Sequence, residues 1–158
     1  MAPVALPLTG GCACKAVRFS LTGAPRLVYA CHCHDCQARS GSAFSLTVVV
    51  ETAHLELTGP VETLTSTQSA GRELVRRRCS ACGGAVASLA GVAPDYSSLR
   101  GGTFDDTSWM VPVAQAFVES AISWAVIPGV PAVADWASFD YYAMGEAWRA
   151  TAPRFETR

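Results

Sequence analysis

Short runs of alternating apolar and polar residues dominate the chain, and they predict strands. AVRFSLTG (16–23) alternates and stops at Gly23-Ala24-Pro25, a turn signal. RLVYACHC (26–33) is strand-like and runs into a group of cysteines and histidines, while AFSLTVVVE (43–51) is apolar and β-branched. HLELTG (54–59) alternates and ends at Gly59-Pro60. RELVRRRC (72–79) and AVASLAG (85–91) flank a CSACGG turn and predict a hairpin, and YSSLRGGTF (96–104) predicts a further strand. AQAFVESAISWAVI (114–127) fits either paired strands or a short helix.

Helical signals are few. HDCQARSG (34–41) predicts one or two turns closed by Gly41. SFDYYAMGEAWRATAP (138–153) predicts a terminal helix capped by Ser138, or an irregular arm. With no repeat and no long linker, the expectation is one domain over residues 1–158: mainly β, antiparallel sheets, short helical pieces.

Composition narrows the partners. The chain is 50% hydrophobic and 16% charged with a net charge of −1. No global field draws it to nucleic acid or to anionic membrane. No apolar run approaches the roughly 20 residues of a membrane span. The opening MAPVALPLTGG lacks a basic segment and is broken by Pro3 and Pro7, which makes a poor secretory signal. There are seven cysteines, an odd number, whereas secreted disulfide frameworks use even ones. The expectation is thiolates in a reducing compartment, the cytoplasm.

Those cysteines fall into three groups: Cys12 and Cys14; Cys31, Cys33 and Cys36; Cys79 and Cys82. In an extended strand, residues i and i+2 face the same side, so C-x-C delivers two sulfurs together. C-x-x-C followed by Gly83 and Gly84 suits a tight turn around a metal, since glycine accepts the positive φ such turns need. Seven sulfurs divide naturally into four and three. A closed set of four holds a structural zinc, and three ligands leave a coordination position free for water or substrate. Cys31, Cys33 and Cys36 are contiguous enough to form the set of three alone. Cys12, Cys14, Cys79 and Cys82 then form the set of four across the 64 residues between Cys14 and Cys79. A competing partition joins Cys33 and Cys36 to Cys79 and Cys82 as a zinc ribbon. Its 42-residue gap is long for that pattern, and it strands three sulfurs.

Taken together, GGCACKAVRF (10–19), CHCHDCQARSGSAF (31–44), CSACGG (79–84) and GTFDD (102–106) resemble the glutathione-dependent formaldehyde-activating enzyme (Gfa-like) family, which includes the C-terminal domain of centromere protein V. The match spans about 8–128 and leaves 129–158 as a C-terminal arm. The resemblance implies a β-tent fold with two zinc ions. It makes Cys12, Cys14, Cys79 and Cys82 the structural ligands and Cys31, Cys33 and Cys36 the ligands of a labile catalytic zinc. It implies a carbon–sulfur lyase or synthase like S-hydroxymethylglutathione synthase, taking glutathione or a similar thiol and a small electrophile such as formaldehyde. The oligomeric state, a homodimer included, stays open. The chain departs from the family at Lys15, where glycine is usual, and at Arg78, where an aromatic is frequent.

The chemistry fits a soft substrate. Zinc with three thiolates carries about one negative charge and acidifies water poorly, but it suits a thiol as fourth ligand. A donor must then meet the oxygen of the electrophile as charge develops there. The candidates are His32, His34, Arg39, Ser40 and Ser42. His32 faces away from Cys31 and Cys33 on an extended segment, which favours packing. His34 beside Asp35 can shuttle a proton from its loop. Arg39 lies one helical turn past Cys36 and can neutralise the site or bind a substrate carboxylate. Arg76, Arg77 and Arg78 read as a solvated strand edge, with Arg78 or Lys15 also able to offset a four-thiolate site. His54 reads as an ordinary strand residue, and Asp105 and Asp106 as a turn. Trp109, Trp124, Trp136 and Trp148 read as core, with one or two able to wall a pocket under the arm. The rival to an enzyme is a non-enzymatic zinc-thiolate interaction module, in which a further ligand such as His34 closes the three-sulfur site. A thiol-redox protein is disfavoured because the C-x-x-C lies in a hairpin.

Overall fold

Strands form where the apolar residues alternate, and they gather into three sheets. The computed structural model describes residues 3–67, 71, 73–90, 94–135 and 137–157. In chain order the elements are β1 (Val4–Leu6), β2 (Leu8–Gly11), β3 (Arg18–Leu21), β4 (Leu27–Cys31), helix α1 (His34–Ser40), β5 (Ser45–Glu51), β6 (Leu55–Thr58), β7 (Val61–Thr67), β8 (Glu73–Cys79), β9 (Ala85–Ala90), β10 (Tyr96–Arg100), β11 (Ala114–Ala116), β12 (Ala132–Val133), helix α2 (Tyr141–Thr151) and β13 (Phe155–Thr157). The largest sheet runs β12-β11-β4-β5-β10-β9-β8-β7; a second runs β2-β3-β6, and β1 pairs with β13. Most pairings are antiparallel. The exceptions are β1 with β13 and β11 with both β12 and β4.

Central position explains the loss of alternation in β4, all five of whose residues are buried. Its side chains join Leu21, Val48, Val50, Val86 and Leu99 in one core cluster. Gly41 ends α1 in the left-handed region at φ 61°, and its amide donates to Gln37 O, as expected of the closing glycine.

Several sequence expectations need correction. The cap of α2 is Asp140, whose Oδ1 accepts from the amides of Tyr142 and Ala143; Ser138 lies outside the helix, its amide bound to Asp135. The 114–127 segment becomes β11 and two 3-10 turns, because the Gln115 side chain bonds Ile127 and Val130 and folds the chain back. The strand expected over 96–104 stops at Arg100, where Gly101–Thr103 turns. His54 ends a 3-10 turn and stands 3.3 Å from Glu51. Arg72, Gly91 and Trp136 lie outside the described residues.

The arm packs through aromatic rings. Trp109 meets Phe104 at 5.4 Å, Phe155 at 5.6 Å and Trp148 at 6.2 Å between centroids. Trp109 and Trp148 are core residues as expected, but Trp124 is 78% exposed, because its 3-10 turn buries Ala125 instead. In the turn between β2 and β3, Lys15 sits at φ 63°, a region that disfavours any residue with a Cβ.

Two measurements check this account. Trp109→Ala should cost about 3–5 kcal/mol in denaturant unfolding, the usual loss for a buried large aromatic. Lys15→Gly should raise the unfolding free energy by about 1 kcal/mol, by relieving the left-handed backbone.

Candidate metal centres

Two turns far apart in sequence bring four sulfurs together. Cys12 and Cys14 lie in the β2–β3 turn, Cys79 ends β8, and Cys82 lies in the β8–β9 turn. Their sulfurs all fall within 4.8 Å of one another. Cys12 Sγ and Cys14 Sγ are 3.5 Å apart, and Cys14 Sγ and Cys79 Sγ 3.8 Å. A tetrahedral ion with metal–sulfur bonds of about 2.3 Å spaces its ligands roughly 3.8 Å apart, so the donor set fits zinc and is far too open for disulfides. Gly83 at φ 72° makes the sharp turn, and its amide donates to Cys79 O at 2.9 Å. Gly84, expected to share that role, does not adopt a positive φ. The GTFDD segment braces the other turn: Asp105 accepts from Thr9 at 2.6 Å and pairs with Arg18, and Phe104 packs on Phe19.

The second group is local. Cys31 closes β4, and Cys33 and Cys36 belong to the first turn of α1, where the Cys36 amide donates to Cys33 O. The three sulfurs lie within 4.8 Å of one another, with Cys31 and Cys33 at 3.6 Å. Among the described residues, no further His, Cys, Asp or Glu atom joins them at that spacing. The four-plus-three partition is therefore the one the chain adopts. Gln37, which sequence reasoning passed over, fixes the helix: Nε2 donates to His32 O at 2.6 Å and to Ser120 O at 2.7 Å.

Both groups show why several thiols cannot ionise together without a cation. In the set of four, the Val17 amide pulls Cys12 down to about 6. Cys14 is drawn down by the Ala16 amide, yet Cys12, Cys82, Cys79 and burial push it up to about 12. In the set of three, hydrogen bonds from Cys31 and Cys36 bring Cys33 down to about 2. Cys31 is pushed far up by Cys33, Cys36 and burial. Cys36 is lowered by Cys31 but raised more by Cys33 and burial. One thiolate is welcome in each group, and the next is resisted.

The candidate donors divide. Arg39 Nη2 lies 3.5 Å from Cys36 Sγ, on the helical face its spacing predicted. His34 is exposed on the first turn, and its ring is not within the sulfur group. Ser40 is spent on the helix backbone, donating to Cys36 O at 2.8 Å, and Ser42 is exposed beyond it. His32 is fully buried against Phe44. Burial lowers its proton affinity; Gln115 and Ala43 lie near enough to offset this in part, without hydrogen-bond geometry.

The arginine run is not a solvated edge, because β7 covers β8. Arg78 pairs with Glu62 at 2.6 Å rather than offsetting the sulfurs. A cleft of about 290 Å³ opens elsewhere, between α2 and the Gly23–Arg26 turn, and carries no cysteine. The arm nonetheless flanks the three-sulfur group: Phe139 covers Tyr29 at 4.9 Å, on the strand that ends in Cys31.

Comparison with known proteins adds the following. No curated protein matches the chain. It resembles the crystal structure of a Rhodobacter sphaeroides protein at 15% identity and a TM-score of 0.48, covering 61% of this chain and 87% of that one. The family model described as glutathione-dependent formaldehyde-activating enzyme matches residues 7–120, and the chain belongs to that family.

Proposed function

We propose that the chain is a zinc-dependent carbon–sulfur lyase or synthase in a β-tent frame, acting on the adduct of a glutathione-like thiol with a small aldehyde, as S-hydroxymethylglutathione synthase does. Cys31, Cys33 and Cys36 would hold the catalytic ion, and Cys12, Cys14, Cys79 and Cys82 the structural one. One observation carries the reading. The set of three sulfurs has no further protein ligand within 4.8 Å among the described residues, whereas the other set has four. When bound, zinc at the open set supplies Lewis acidity that lowers the pKa of an added thiol.

The chain's own residues supply the rest. In the synthetic direction the thiol sulfur forms a bond to the carbonyl carbon, the carbonyl π pair moves to oxygen, and the thiol proton ends on that oxygen. Arg39 stands against Cys36 and offsets the charge of the thiolates. Its guanidinium is also a donor for the developing oxyanion. His34, exposed at the start of α1, carries the proton. Seven free thiols suit the reducing cytoplasm.

Three outcomes test the proposal. Metal analysis should find two zinc ions per chain, one of which is lost to competing glutathione; two that resist it would favour an interaction module. Cys36→Ser should remove one ion and turnover of glutathione with formaldehyde while leaving unfolding little changed, whereas Cys79→Ser should cost several kcal/mol of stability. Because Cys31 and Cys36 keep their protons without metal, loading the three-sulfur site should weaken as pH falls, by about 100-fold per unit for two displaced protons. Calorimetric titration across pH 6–8 reads that slope.

A further inference from the structure

Three guanidinium groups from three elements converge beside the three-sulfur group. Directly opposed residues on neighbouring strands share a sheet face, so the registers fix which side chains stand together. Cys31 pairs with Ser45 on β5, and two residues along β5, Thr47 pairs with Arg100 on β10. Arg100 in turn donates to Ser45 Oγ, next to Cys31. Ser98, two residues before Arg100, pairs with Ser88 on β9, and Ser88 pairs with Arg76 on β8. Arg100 and Arg76 therefore stand on the face that carries Cys31. Helix α1 packs against β5 and brings Arg39 onto Cys36. The Arg76 guanidinium feels the fields of Arg39 and Arg100, and also those of Asp35 and Cys36.

This grouping is costly as it stands. Arg39 and Arg76 are half-buried, and the Nε of each is shielded from solvent with no hydrogen-bond partner among the described residues. A buried donor left unpaired destabilises the fold unless something else meets it. Charge points the same way. Asp35 and a divalent ion with three thiolates bring two negative charges against three positive ones. Arg18, Arg26, Arg78 and Arg149 each already have a carboxylate partner. A planar guanidinium matches a carboxylate in two parallel hydrogen bonds, a geometry that lysine lacks.

We infer that Arg39, Arg76 and Arg100 form a carboxylate-binding recess that holds an acid group of the thiol substrate while its sulfur meets Cys31, Cys33 and Cys36. The inference rests on reading the three-sulfur group as a thiol site, and it assigns the residues that would select acidic thiols over neutral ones. Arg76 and Arg100 thereby become binding residues drawn from strands remote from the cysteine motif.

The test uses the full chain loaded with cobalt(II), whose visible absorption reports thiol exchange. Mercaptopropionate should bind about tenfold or more tightly than mercaptoethanol. Arg76→Gln and Arg100→Gln should each erase that preference, weakening mercaptopropionate far more than mercaptoethanol, and Arg76→Lys should restore only part of it. Circular dichroism checks the fold; if Arg76→Gln unfolds, Arg100→Gln carries the comparison. Equal binding of the two thiols by the unsubstituted chain, or a preference that survives in the folded variants, overturns the recess. If neither thiol alters the cobalt spectrum, the thiol-site reading fails separately. The recess is then judged by calorimetry with propionate on the zinc-loaded chain. Binding that Arg100→Gln abolishes sustains it, and no binding overturns it.

Discussion

Mutual repulsion among thiolates governs this structure. Cys14 and Cys79 are 65 positions apart in sequence, yet their sulfurs sit 3.8 Å apart with Cys12 and Cys82 beside them. The first proton leaves such a group easily, as Cys12 shows at about 6, and the next is held, as Cys14 shows at about 12. Only a cation lets all four ionise together. The turns carrying these sulfurs belong to different sheets, β2–β3 to the three-stranded one and β8–β9 to the eight-stranded one. Whatever neutralises the sulfurs therefore also joins the sheets.

The same physics has another consequence when the sulfurs are neighbours. Cys31, Cys33 and Cys36 are brought together by the end of one strand and the first turn of one helix. Ser45 and the β4–β5 ladder hold the strand, and Gln37 ties the helix to the carbonyls of His32 and Ser120. No long-range link depends on the ion, so this group can exchange a ligand without parting two sheets. On the proposed reading, metal binding would be coupled to folding at one site and to chemistry at the other.

The cysteine partition was legible because local geometry sufficed. The turn at Gly83 and the helical spacing of Cys36 and Arg39 act within a few residues, and so does each C-x-C pair, although Cys12 and Cys14 are aligned by a turn and Cys33 by the start of α1 rather than by strand parity. The antiparallel β class was legible for a similar reason, since alternation is read strand by strand. Pairing across the sheet was not. Arg76 looked like a solvated edge because its sequence neighbours are charged; that β7 covers β8 is a matter of topology. Polar β7 and the short strands β1, β12 and β13 escaped because their stability comes from partners rather than from pattern. The helix cap went to Asp140 rather than Ser138, its Oδ1 accepting from the amides of Tyr142 and Ala143, and Phe139 between the two packs on Tyr29.

That packing bears on the site itself. Tyr29 is wholly enclosed, and burial, Tyr141, Cys31 and Cys36 all hold its phenol in the protonated state. The aromatic arm thus packs on Tyr29, two residues from Cys31, while Arg100 and Arg76 stand on the same sheet face. Burial strengthens electrostatic interactions at the sulfurs, and nearby cations set which partner benefits from them. On the proposed reading, selectivity for an anion would follow from those guanidinium groups: the same tristhiolate without them would repel it.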